Sequence, residues 1–126
     1  MSMRSSLGRA RGLGSTGEGV GHWWVQRATA VALVPLALWL VISVIRVAGA
    51  DYQHFQQWLA RPGNATLMVL LLVATFHHAQ LGLQVVIEDY VHRESTRIAG
   101  ILVMKAIIVL LGTFSVVSVL KIAFGG

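Results

Sequence analysis

The sequence predicts an all-α integral membrane protein with three transmembrane helices, and three observations carry that reading. Of the 126 residues, 56% are hydrophobic and only 12% are charged, a balance that suits lipid rather than a water-soluble core. The apolar residues gather into three runs, at about 24–47, 65–87 and 98–123. Each reaches the roughly 20 residues that a helix needs to cross a bilayer core. Polar residues inside those runs are few and placed at helical spacing, so they read as features of membrane helices. A water-soluble enzyme is excluded.

The chain divides into a basic N-terminal arm, residues 1–21, and an anchor domain, 22–126. The arm is rich in Gly, Ser and Arg. Its composition also fits a transit peptide, but a basic arm lying on anionic headgroups or on a neighbouring subunit is the simpler reading. No short apolar segment with a cleavage site precedes the first run, which argues against a secretory signal.

The first span opens with His22-Trp23-Trp24, whose indoles suit the headgroup layer. Pro35 falls near its middle, where a membrane helix tolerates proline with a kink. The segment 48–64 carries Asp51, Tyr52, His54, Trp58 and Arg61, the pattern of a short amphipathic interfacial helix, closed by a predicted turn at Pro62-Gly63-Asn64. The second span follows. A polar connection, 88–96, leads to the third.

Formal charge is +5, yet the basic residues follow topology and form no nucleic-acid-binding face. Arg4, Arg9, Arg11 and Arg27 precede or open the first span, and Arg93 and Arg97 lie between the second and third. Arg46, Arg61 and Lys121 remain for the other side. The positive-inside rule therefore predicts a cytoplasmic N-terminus, or a matrix one in a mitochondrion. Cysteine is absent, which excludes thiolate metal sites and iron–sulfur ligation by this chain.

The second span carries the chemistry. His78 lies near its middle, and Asp89-Tyr90 lies about 18 Å further along the axis at its edge. Ionisable side chains in a membrane helix are expensive and mark functional sites by default. At about 100° per residue His78 shares a face with Leu71, Ala74, Thr75, Gly82, Val85 and Asp89. The small residues would let a planar group or another helix approach. His77 points about 100° away, toward Gln80, Gln84 and Glu88.

A buried imidazole has three uses here: an interhelical hydrogen bond, a proton relay, or axial ligation of a haem iron. With one well-placed mid-membrane histidine, a second haem ligand would have to come from another subunit. Arg27 and Tyr90 also have ordinary readings, as a basic anchor and an aromatic-belt residue. Asp89 also suits the start of a polar loop. A second Asp-Tyr pair, Asp51-Tyr52, has no mid-membrane histidine at matching spacing. Lys105, about two turns into the third span, is a candidate partner for Glu88 or Gln84, with snorkelling as the alternative.

The segment H-A-Q-L-G-L-Q-V-V-I-E-D-Y beginning at His78, with V-Q-R-A-T-A in the first helix, resembles the hydrophobic membrane anchor subunit of succinate dehydrogenase, respiratory complex II. The resemblance implies three helices packed with a second membrane subunit around haem b. His78 would be one axial ligand, the other coming from a cytochrome b556-type subunit. Tyr90 would hydrogen-bond a ubiquinone carbonyl, Asp89 would support that site or help deliver protons, and Arg27 would face the haem propionates or the quinone region. Flavin and iron–sulfur clusters would reside on separate flavoprotein and iron–sulfur subunits, so the chain is not catalytic alone. The setting implied is a bacterial inner membrane, with a mitochondrial one as the alternative. Two other functions remain open, the anchor of a fumarate reductase and a haem-free structural scaffold. A proton channel ranks last because the outer half of each span is almost wholly apolar.

Overall fold

The computed structural model describes residues 6–7 and 18–125. Most of the basic arm lies outside the described residues. Four helices follow in chain order: α1 (Glu18–Val47), α2 (Tyr52–Ala60), α3 (Pro62–Tyr90) and α4 (Glu94–Ala123). Three of them, α1, α3 and α4, are long and apolar enough to span a membrane. In hydrocarbon every backbone polar group needs a partner within the segment, which a helix supplies. Two hydroxyls of α4 are satisfied in the same way. Ser115 and Ser118 donate to the carbonyls of Leu111 and Phe114, each at 2.7 Å. α1 runs uninterrupted through Pro35.

The long helices form an open layer with α3 in the centre. α1 packs on one side of α3 and α4 on the other, while α2 lies across the far end against α3 and α4. The end where α1 begins and α3 finishes is called proximal below, and the end that carries α2 distal. The core is correspondingly thin: Leu59, Leu71, Leu81 and Met104 are its buried apolar side chains. By contrast Val31, Val34, Leu38, Val41 and Ile45 form an exposed stripe at helical spacing on α1. Such a face is stable only against lipid or another apolar subunit.

At the distal end, Asp51 caps α2 by accepting from the backbone N–H of His54 at 2.9 Å. Leu59 is the most enclosed side chain, only 1% exposed. Beside it Trp58 stacks between Trp39 of α1, at 5.8 Å between ring centroids, and Phe55, at 6.1 Å. These contacts hold α2 across the bundle.

Two boundaries differ from the sequence reading. Pro62-Gly63-Asn64 is the first turn of α3 and not a separate turn; Arg61 alone makes the reversal, with φ −65° and ψ 127°. The reason is local. A residue before proline is driven out of the helical region, and proline at the first helical position lacks only an N–H that would have no partner there. Asn64 Nδ2 then donates to the Trp58 carbonyl at 2.8 Å, tying the two helices together. The connection expected over 88–96 also shrinks to three residues, 91–93, because Glu88, Asp89 and Tyr90 complete α3 and Glu94 opens α4. An acid in a first turn favours the helix dipole.

Between α3 and α4, Gly112 meets the Phe76 ring, which would stand 3.4 Å from an added methyl. Leu59→Ala is expected to lower the stability of the assembled protein by about 2–5 kcal/mol, the usual range for emptying an enclosed leucine site. Asp51→Ala is expected to cost about 1 kcal/mol, as for loss of a cap. Thermal denaturation of both variants in detergent checks the order of the two effects.

Candidate functional site

His78 comes from the middle of α3 and faces α1. Its Nδ1 lies 3.1 Å from the Thr29 hydroxyl. That hydroxyl is also within 2.9 Å of the Val25 carbonyl and 3.0 Å of the Gln26 carbonyl, one turn back along α1. The ring is half-buried. Its Nε2 has no hydrogen-bond partner among the described residues and is not enclosed. The interhelical bond therefore occupies Nδ1 and leaves Nε2 without a partner among the described residues.

His77 is exposed and turns to the opposite side of α3. It lines the α3–α4 groove together with Gln80, Phe76 and Thr113. The two adjacent histidines thus sit on different faces, as a rise of one residue in a helix requires.

On the proximal side of His78, α1 and α3 diverge to form a cleft of about 310 Å³. Its α1 wall comprises Gly19, His22, Trp23, Gln26 and Arg27, and its α3 wall Leu81, Gln84, Val85 and Glu88. Arg27 lies over the Trp23 ring, 5.2 Å from guanidinium carbon to centroid, a cation–π contact that holds the charge at the cleft mouth. Gln84 Nε2 donates to Glu88 Oε1 at 3.0 Å. Gln26 Oε1 is buried without a partner among the described residues. Gly82 faces the Gln26 amide, 3.8 Å from an added methyl. That is ordinary van der Waals contact, so the α1–α3 approach does not demand glycine, and the Gln26 side chain covers this position.

Asp89 and Tyr90 end α3, and neither lines this cleft. Tyr90 is 79% exposed and Asp89 is exposed. Among the described residues they therefore share no pocket with Arg27, and His78, which meets α1 at Thr29, borders the cleft without lining it.

The polar stripe read from the sequence divides. Gln80 accompanies His77 toward α4, whereas Gln84 and Glu88 turn toward α1. α3 has a neighbour on each side, and the stripe borders both grooves. Lys105 consequently makes no ion pair with Glu88, which is held by Gln84 instead. Sequence reasoning also passed over Gln26 and Thr29. Their signal was present in V-Q-R-A-T-A, where two polar residues three apart share a helix face.

An open layer of three membrane-length helices, with a polar site on one side of its central helix, defines a multi-pass membrane subunit made to pack with others. The chain belongs to the family of succinate dehydrogenase/fumarate reductase transmembrane subunits, which it matches over residues 1–114, and within that family it is of the hydrophobic membrane anchor type. The succinate dehydrogenase hydrophobic membrane anchor subunit of Rickettsia bellii (strain RML369-C) is 34% identical over 102 residues, covering 81% of this chain and 82% of the relative. The succinate dehydrogenase membrane anchor subunit of Reclinomonas americana is 35% identical over 95 residues, covering 73% and 79%. The corresponding hydrophobic anchor subunit of Paracoccus denitrificans is 33% identical over 93 residues, covering 74% and 71%.

The division of the polar stripe is testable by double-mutant cycles on the stability of the assembled complex. Lys105→Met and Glu88→Gln are expected to add within about 0.3–0.5 kcal/mol, as independent sites do. Gln84→Leu and Glu88→Gln are expected to couple by at least about 0.5 kcal/mol.

Proposed function

We propose that this chain, as the membrane anchor of a succinate dehydrogenase, supplies one axial ligand to haem b and part of a ubiquinone site. Succinate oxidation on the flavoprotein subunit yields two electrons, which pass through the iron–sulfur subunit to the quinone. The observation that carries the reading is His78: a mid-membrane imidazole, fixed through Nδ1, whose Nε2 is left without a partner.

The residues present fit a haem. His78 Nε2 would hold the iron from one side, and a histidine of the cytochrome b556-type subunit would hold it from the other. When bound, the haem supplies a one-electron centre within the membrane and a rigid link between the two subunits. Arg27, at the proximal mouth of the cleft, would neutralise propionates by charge-assisted hydrogen bonds. The cleft of about 310 Å³ beside Arg27 and the exposed apolar stripe of α1 leave room for a bound group and a partner helix.

Tyr90 and Asp89 would meet the quinone at the proximal surface, where their exposure leaves them available to a site completed by the other subunits. The phenol O–H would donate to a quinone carbonyl, and this bond strengthens as negative charge develops on the oxygen. Asp89 would help bring protons from the inner aqueous phase. We place the N-terminus on that side, cytoplasmic in a bacterial inner membrane, from the clustering of Arg27, Arg93 and Arg97 at the proximal end.

In the purified four-subunit complex, His78→Ala is expected to abolish or alter the b-haem signal in a dithionite-reduced minus oxidised spectrum, while His77→Ala leaves it unchanged. Loss in the His77 variant alone would transfer the ligand to the α4 side. Tyr90→Phe is expected to lower quinone reduction by tenfold or more, a loss of about 1.4 kcal/mol of transition-state stabilisation. It should spare dye-linked succinate oxidation and the haem spectrum. Unchanged quinone kinetics would remove Tyr90 from the site.

A further inference from the structure

We propose that Thr29 is a positioning residue for His78. It accepts a hydrogen bond from the imidazole Nδ1–H, and so fixes both the tautomer and the ring plane with which Nε2 is presented to the iron. The inference rests on the ligand reading above and adds a residue of a different helix to it.

The direction of the bond follows from proton bookkeeping. A threonine hydroxyl has one proton. Around the Thr29 oxygen lie three candidate partners: the Val25 carbonyl at 2.9 Å, the Gln26 carbonyl at 3.0 Å and His78 Nδ1 at 3.1 Å. If the hydroxyl donated to Nδ1, its oxygen would face two carbonyl oxygens at contact distance with no proton between them, which is repulsive in a low-dielectric interior. If it donates back to the turn before, as helical threonines commonly do, those contacts become attractive. A lone pair then faces the ring. Nδ1 must in that case carry the proton, and neutral imidazole leaves its lone pair on Nε2, the nitrogen that has no partner among the described residues.

Two physical consequences follow. The bond crosses from α3 to α1, so the ring cannot rotate without breaking it, and the ligand plane is set by the packing of the two helices. It also makes the imidazole a stronger donor, because an acceptor on Nδ1–H raises the basicity of Nε2. A stronger donor favours ferric over ferrous iron and lowers the potential. A backbone carbonyl or carboxylate commonly fills this position. Here a neutral hydroxyl does so, polarised by the carbonyls to which it donates.

The test uses the complete complex carrying Thr29→Val, Thr29→Ala or Thr29→Ser, with haem content, redox titration of the b-haem band and low-temperature EPR as readouts. Valine and alanine are expected to raise the haem midpoint potential and shift the low-spin g values, whereas serine, which keeps the hydroxyl, stays close to wild type. Loss of haem from both hydroxyl-free variants in assembled complexes, with retention by serine, also supports the proposal. Wild-type potential and EPR in the valine and alanine variants would overturn it, as would a serine variant displaced as far as valine. A wild-type complex lacking haem would overturn the ligand reading itself, which the first measurement distinguishes from failure of the Thr29 inference alone.

Discussion

The rest of the structure depends on the cost of placing polar side chains in hydrocarbon. A membrane helix already satisfies its backbone, so an imidazole or carboxamide in its middle needs a bond from a neighbour. α3 carries two histidines and two glutamines within eight residues, from His77 to Gln84, and it is the central helix of the layer. His78 bonds to Thr29 across α1, while His77 and Gln80 open on the groove toward α4. Central placement lets one helix direct polar groups to two unlike environments. The α1 side adds a cleft that carries both Arg27 and Glu88.

The helices were legible because apolar runs of membrane length have few alternative readings, and helical periodicity separates His77 from His78 by face. Periodicity specifies which residues share a face. It does not specify which neighbour covers that face, and the misreadings arose there. Depth alone makes Lys105 a candidate partner for Glu88 or Gln84, but both line the α1 side, where Gln84 engages Glu88. Pro62 was read as a turn breaker although its ring also suits a helix start, and only the extended conformation of Arg61 distinguishes the two uses. The pairing of Thr29 with His78 spans 49 residues in sequence and depends on how α1 and α3 pack, so a single sequence did not expose it.

The thin core has a functional counterpart. An anchor that exposes most of its large apolar side chains leaves its final packing to lipid and to other subunits. Membrane helix association relies on close packing and cross-helix bonds more than on expulsion of water. The haem proposed above would suit such a subunit, since it would tie two weakly self-sufficient helix layers together. The exposed Asp89 and Tyr90 extend the same logic to the membrane surface, where a quinone site assembled from several chains would close over them. The α2 cap at the opposite end, held by Leu59 and the aromatic stack, stabilises the layer without approaching that chemistry.

The most direct test is an electron cryomicroscopy map of the native complex at side-chain resolution. The account predicts that the partner membrane subunit covers the α1–α3 face, with His78 Nε2 on the iron and Nδ1 within hydrogen-bonding distance of the Thr29 hydroxyl. A partner subunit and haem seated instead in the α3–α4 groove, with His77 toward the iron, would contradict it.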